Sequence, residues 1–184
     1  MRPLEVLRNE HGLIRHFLDN LALAVERLEN GERPPSEVFD KAVQFARTFA
    51  DAFHHAKEEH MMFVRLAQKK NGAIDGEIQA LRHQHERARD HVAAIASAVE
   101  GYDAAKPIQT GRILESAAAY IAVLRSHIHK EDHVFFPLAQ EALTAEEADQ
   151  LHQEFDNASQ KAGGSCFEES HKLVVDMGSI LAQM

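Results

Sequence analysis

The chain has 184 residues, 45% hydrophobic and 27% charged, with a formal net charge of -9; it is of single-domain size and large enough for one buried core. The acidic balance leaves no basic stripe for nucleic acid and disfavours an anionic partner surface. Cys166, the only cysteine, excludes an internal disulfide, iron–sulfur cluster or thiolate zinc site and suits a reducing interior, while the opening MRPLEVLRNEH has no apolar leader and no run nears the ~18 apolar residues of a membrane span.

A cytoplasmic protein with no membrane partner is therefore expected. Helix-period patterns dominate, which predicts an all-α fold. The first predicted helix carries Leu4, Leu7, His11, Ile14, Leu18, Leu21, Val25 and Leu28 at spacings of three and four, one buried stripe with a histidine inside it. After Gly31 and Pro34-Pro35, Ser36 is read as the N-cap of a second helix. Its inner face is expected to hold Phe39, Val43, Ala46, Ala50, Phe53 and Met61, with His54 and Glu58 on or beside that face.

Asn71-Gly72 and Gly76 mark the next turn. The third helix then places Ile78, Leu81, His85, Ala88, Val92, Ile95 and Val99 on one seam. A loop through Gly101 and Pro107 leads to the fourth, whose stripe is Ile113, Ala117, Tyr120, Leu124, His127, Glu131, Val134 and Leu138. Thr144 to Glu147 and Ser165 to Glu168 fit the capping-box pattern and predict two further short helices separated by Gly163-Gly164. The expected organisation is an up-down-up-down four-helix bundle over 1–143, with a helical appendage over 144–184 packed on it.

A repeat runs through the four helices. HHAKEEHMMF from His54 returns as HIHKEDHVFF from His127, about 73 residues later, and Glu10-His11 with Arg15 returns as Gln84-His85 with Arg89. Thirteen histidines in one chain is a large excess of a residue that is the commonest metal ligand. His11 and His85 each lie about 12 Å along their helices. Glu58 and Glu131 lie about 17 Å from the same end of the bundle. His11, His54, His85 and His127 with Glu58 and Glu131 are therefore expected to meet in one interior slab.

Residues four apart share a helix face, so His54 with Glu58, and His127 with Glu131, can each aim an imidazole and a carboxylate at one centre. Two carboxylates in an apolar seam are costly unless cations neutralise them. Neutral imidazoles and carboxylates without thiolate suit iron, manganese or zinc. If both glutamates bridge two ions, each ion receives two histidines and two carboxylate oxygens, which leaves up to two octahedral positions for dioxygen, nitric oxide or peroxide. Phe53, Met61, Leu124 and Val134 are expected to line the site. Tyr120 is read as a core phenol satisfied by a neighbour, and His16, His60, His83, His129 and His133 as surface residues.

The segments EHGLIR, FADAFHHAKEEHMMF, QHERAR and LRSHIHKEDHVFFPLA, in order from about residue 3 to residue 143, resemble the hemerythrin-like, HHE cation-binding family. The resemblance implies a non-haem centre of two iron ions, oxo- or carboxylate-bridged, with His11, His54, Glu58, His85, His127 and Glu131 as ligands. Oxygen-carrying members have a further histidine where this chain has Arg89, which speaks against reversible oxygen carriage. They also place an aspartate at the position of Asp132, so Asp132 competes with Glu131 for the bridging role, and the repeat and the seam favour Glu131. His55 is a seventh ligand, a hydrogen-bond partner behind the ligands, or a surface residue.

The function expected is binding of dioxygen, nitric oxide or peroxide for sensing or for oxidative and nitrosative stress response. The alternatives are a peroxidase- or oxidase-like enzyme, a protein that stores or delivers iron, zinc or manganese, and a helical interaction module. The oligomeric state stays open.

Overall fold

Four long helical rods and two shorter ones account for nearly all of residues 2–103 and 106–184, which the computed structural model describes; among them every regular element is helical and none is a strand. Helix α1 is Arg2–Glu29, α2 runs over 36–66, α3 is Asp75–Tyr102, α4 runs over 107–142, α5 is Ala145–Lys161 and α6 is Cys166–Ala182. The α1 stripe is buried from Leu4 to Leu28 as the spacing predicts. Gly31, at φ 81°, closes that helix: Glu32 N–H bonds to Arg27 C=O at 2.9 Å and Gly31 N–H to Leu28 C=O at 3.1 Å. That left-handed turn satisfies carbonyls the helix end would otherwise leave free.

The second and fourth rods are not uniform α-helix. The α2 rod passes through π-helical segments at Ala46–His55 and Glu58–Met62, and α4 through one at Glu131–Phe135. Phe63 N–H reaches Glu58 C=O, and Phe136 N–H reaches Glu131 C=O, five residues back in each case. Each wide turn advances the inward face by one residue. After Glu58 the seam therefore runs through Met62 and Leu66, and after Glu131 through Phe135 and Ala139. This corrects the expectation for Met61, which is half-buried, and for Val134, which is exposed.

Two local cap readings also change. The Ser36 hydroxyl donates to Asp103 at 2.9 Å instead of capping α2, and the Ser165 hydroxyl donates to Glu169 at 2.7 Å with no cap on α6. Thr144 forms the expected reciprocal pair with Glu147. Helix α6 lies against both α1 and α2, with Val174, Met177 and Leu181 fully buried in the main core. Asn20 Nδ2 donates to Val174 C=O at 2.8 Å and Arg27 to Leu181 C=O at 3.0 Å. Helix α5 covers the other end, where Leu151 and Phe155 join Leu4, Leu7, Met62, Phe63 and Phe135 in a second core. No helix among the described residues is long and apolar enough to cross a membrane.

Candidate metal centre

The two apolar cores are separated by a slab of buried polar side chains. Glu10, His11, His54, His55, Lys57, Glu58, His85, His127 and Glu131 are all at most 4% exposed, drawn from all four rods. They are interior because each falls on its rod's seam, and His55 joins His54 there because the π-helical segment ending at His55 turns two successive residues inward. The donor atoms form two groups, His11, His54, Glu58 and Glu131 in one and His55, Glu58, His85 and His127 in the other, each within 4.8 Å of one another.

Glu58 belongs to both groups. One of its oxygens lies 3.5 Å from His54 Nε2 and the other 3.4 Å from His85 Nε2. Glu131 Oε2 lies 3.1 Å from His11 Nε2 and 3.2 Å from His127 Nε2, so it also faces both groups. His85 Nε2 and His127 Nε2 are 3.2 Å apart. Phe136 stacks on the His11 ring at 5.5 Å and Phe63 on the His85 ring at 6.0 Å, so these phenylalanines take the lining role expected of Met61 and Val134.

The outward nitrogens are as ordered as the inward ones. His11 Nδ1 pairs with Asp132 Oδ1 at 3.1 Å, His54 Nδ1 with Glu10 Oε2 at 2.8 Å, His85 Nδ1 with Glu59 Oε1 at 2.6 Å, and His127 Nδ1 with Gln84 Oε1 at 3.2 Å. Such partners fix the ring and its tautomer so that the opposite nitrogen is presented as a lone pair. Arg15 holds Asp132, Arg89 holds Glu59 at 2.7 Å, and Lys57 donates to Glu10 at 2.6 Å while lying 3.1 Å from the centre of the Phe53 ring. Asp132 thus sits behind His11, while Glu131 occupies the interior. Arg15 and Arg89 act through these acids.

The polar atoms facing inward have almost nothing to bond. Both oxygens of Glu58 and of Glu131, Nε2 of His11 and His54, and both nitrogens of His55 are buried without a hydrogen-bond partner. Orphaned groups of this kind cost about 1–3 kcal/mol each, and more when charged. The metal-free electrostatics show the same demand for cations. Burial works against charge on His11 and His85, but the close carboxylates of Asp132 and Glu131, and of Glu58 and Glu59, outweigh it and raise both imidazoles to about 9. Glu131 is held well below the carboxylate range, its burial overcome by His127 and His11. His55 goes the other way, its pKa pushed well down by burial and then by the neighbouring His85, His127 and His54. A neutral imidazole beside two carboxylates, in a pocket that otherwise takes up protons, is chemistry a divalent cation satisfies.

A family model described as the hemerythrin HHE cation binding domain matches residues 2–139. The chain belongs to that family. Three curated relatives, uncharacterized proteins Mb2018 of Mycobacterium bovis and MT2051 and Rv1995 of Mycobacterium tuberculosis, are each 28% identical over 175 residues. The match covers 94% of this chain but only 66% of each relative, so the chain spans just under two thirds of their length. No solved structure matches. A cation-binding domain is what the two groups of buried donors fit.

Several residues at the centre went unassigned from sequence: Glu10, Lys57, Glu59 and Gln84. Their signal was the repeat itself, since the residue before each seam histidine (Glu10, Gln84) and the acid at offset five of each motif (Glu59, Asp132) occupy corresponding places. The expected partner for Tyr120 is absent. Its ring is buried against Phe17, and its hydroxyl has no hydrogen bond among the described residues. The five histidines read as surface residues are exposed.

Proposed function

We propose that this chain is a cytoplasmic di-iron protein that binds dioxygen, nitric oxide or peroxide for sensing or stress response. In this reading it is an up-down-up-down bundle over 1–143 that carries 144–184 as an appendage. His11 and His54 would hold one ion and His55, His85 and His127 the other, with Glu58 and Glu131 shared between them. The observation that carries the reading is the set of orphaned buried donors facing one interior space, with every outward histidine nitrogen but that of His55 braced by an acid or amide.

An iron pair supplies Lewis acidity and one-electron steps toward a small ligand. The chain supplies the rest. Asp132, Glu10, Glu59 and Gln84 orient the imidazoles, Phe63 and Phe136 exclude water, and protons leave His11 and His85 as cations enter. Sharing both glutamates gives four protein ligands to the first ion and five to the second, fewer than the six of an octahedron, which leaves room for an exogenous ligand. His55 is given the role of a seventh ligand because neither of its buried nitrogens is hydrogen-bonded and because Arg89 occupies the position of the further histidine found in oxygen carriers.

Elemental analysis of protein purified without oxygen is expected to give about two irons per chain, and air oxidation is expected to produce near-ultraviolet oxo–iron absorption. Protein replete with iron but lacking that absorption would remove the bridged pair from consideration. Storage or delivery requires exchange, and the donors are buried behind aromatic rings. Bound metal is therefore expected to pass only slowly and incompletely to a chelator, and rapid complete transfer would move the reading to delivery.

A further inference from the structure

A cavity of about 140 Å³ lies between α2 and α3, against the second ion group and outside it. Its floor is formed by His55, Ala88 and the buried Tyr120, and its mouth by Arg47, Asp51 and Arg89. The size is decisive for the class of ligand. It is close to cavities that accept a benzene-sized molecule and below the ~300 Å³ where ordinary cofactor and nucleotide sites begin.

The polar groups around it are unevenly matched. Arg89 is committed to Asp51 at 2.8 Å and to Glu59 at 2.7 Å. Arg47 has no ionic or hydrogen-bond partner among the described residues, the Tyr120 hydroxyl has no hydrogen bond, and neither nitrogen of His55 has one, its Nδ1 lying 3.5 Å from Asp51. Arg89 is thus answered by two carboxylates, and Arg47 is the cation at the mouth left without an ion-pair partner. One unpaired hydroxyl donor waits at the floor, beside an imidazole of the metal centre.

We infer that this cavity is a docking site for a small monoanion of up to about six heavy atoms, held by Arg47 and the Tyr120 hydroxyl and delivered past His55 to the metal centre. The delivery step rests on the di-metal reading, whereas the binding step does not. A monoanion pairs with Arg47 at the mouth, and Tyr120 donates to it while Ala88 leaves the space it occupies. Arg47 draws the anion in from solvent, so its contribution is salt-dependent.

Azide is the probe, and two measurements keep the binding step separate from the metal reading. In metal-free protein, azide should shift the amide and side-chain resonances of Arg47, Asp51 and Tyr120. In iron-loaded protein, followed by the optical change on azide addition, Ala88→Leu should weaken azide at least about tenfold by filling the cavity. Arg47→Gln should weaken azide about threefold to tenfold, an effect that fades at high salt. Both variants should keep the wild-type iron content, since neither residue is a donor. Failure of the purified chain to take up iron, with azide still shifting these residues, would overturn the di-metal reading and leave the docking site standing. Unchanged azide affinity in both iron-loaded variants, with no shifts at these residues, would overturn the docking site and leave the metal centre standing.

Discussion

The two halves of the centre are built from one repeated motif but are braced differently. Behind His11 and His54 stand two carboxylates, Asp132 and Glu10, the second clamped by the buried Lys57. Behind His85 and His127 stand one carboxylate, Glu59, and the neutral Gln84. With no anion at Gln84 to hold it inside, the repeat partner of Lys57, Lys130, turns outward to Glu77 at 2.6 Å. The third difference runs the opposite way: His55 adds an imidazole to the second group, and its repeat partner is Ile128, a buried apolar side chain with no ligand atom to offer. One position is thus rich in anionic bracing and the other in neutral nitrogen donors. The first suits the more highly charged ion, and the second suits a lower oxidation state.

The largest test removes what the halves share. Glu58→Ala with Glu131→Ala takes a carboxylate from both groups, so metal content should fall from about two ions to near zero. The thermal stabilisation on adding metal should vanish with it, about 2.7 kcal/mol per site at a hundredfold excess over Kd. Retention of both ions would leave only an incidental cluster of histidines in a helical module. A narrower break is His55→Ile, which makes the second group resemble the first at that position. One ion should be retained and the other weakened about tenfold to a hundredfold, read as a change from two-step to one-step metal titration. Loss of neither ion would return His55 to a bracing or packing role.

Next in size is the bracing of the first half. Glu10→Gln with Lys57→Met removes the buried pair together, so that neither charge is stranded, and should weaken the first ion about tenfold to a hundredfold while sparing the second. If instead both ions weaken equally, the halves do not act separately.

Protonation gives a smaller, reversible effect. His11 and His85 are raised from 6.5 to about 9 in the metal-free protein. Their contribution to stability is therefore full below pH 6.5 and is lost as pH rises toward 9. Glu59, lowered from 4.5 to about 2 by the His85 hydrogen bond and by Arg89, contributes above pH 4.5 and loses that contribution toward pH 2. The Tm of metal-free protein should therefore decline from pH 6.5 to 9, a decline that bound metal suppresses. Metal uptake near neutral pH should release about two protons in weakly buffered solution. An identical Tm profile with and without metal would mean that cations do not replace these protons.

Much of this arrangement is readable before any coordinates, because a stripe such as Leu4, Leu7, His11, Ile14 obeys the α-helical period, and a histidine inside it must share the stripe's burial. The convergence of the four seam histidines with Glu58 and Glu131 follows from the same arithmetic. What stayed illegible depends on a change of period. The π turns at Ala46–His55, Glu58–Met62 and Glu131–Phe135 carry no composition signal, and they move Met62 and Phe135 inward in place of Met61 and Val134 and bring His55 into the slab. Ser36 and Ser165 show a different limit. A cap pattern records what a hydroxyl can do locally, but the nearby carboxylates of Asp103 and Glu169 offered stronger acceptors. The bracing acids lay in view within the repeat, but pairing Glu59 with His85 and Asp132 with His11 requires knowing which rods are adjacent.

The mildest perturbation asks whether the halves differ because of one atom. Gln84→Glu restores the acid found at the matching position, Glu10, and replaces an amide oxygen behind His127 with a carboxylate. Lys130, now facing an anion, has a reason to leave Glu77 and fold inward as Lys57 does. A charged acceptor makes His127 a stronger donor to its ion, so the second position should gain about threefold to tenfold in affinity and the two titration steps should draw together. The burial of a fresh carboxylate opposes this, and the outcome turns on whether Lys130 follows. Measured alongside Gln84→Glu with Lys130→Met, the single variant should bind metal more tightly than the double. If the two bind alike, Lys130 does not follow the new carboxylate inward, and any difference from the wild type belongs to the acid at position 84 alone.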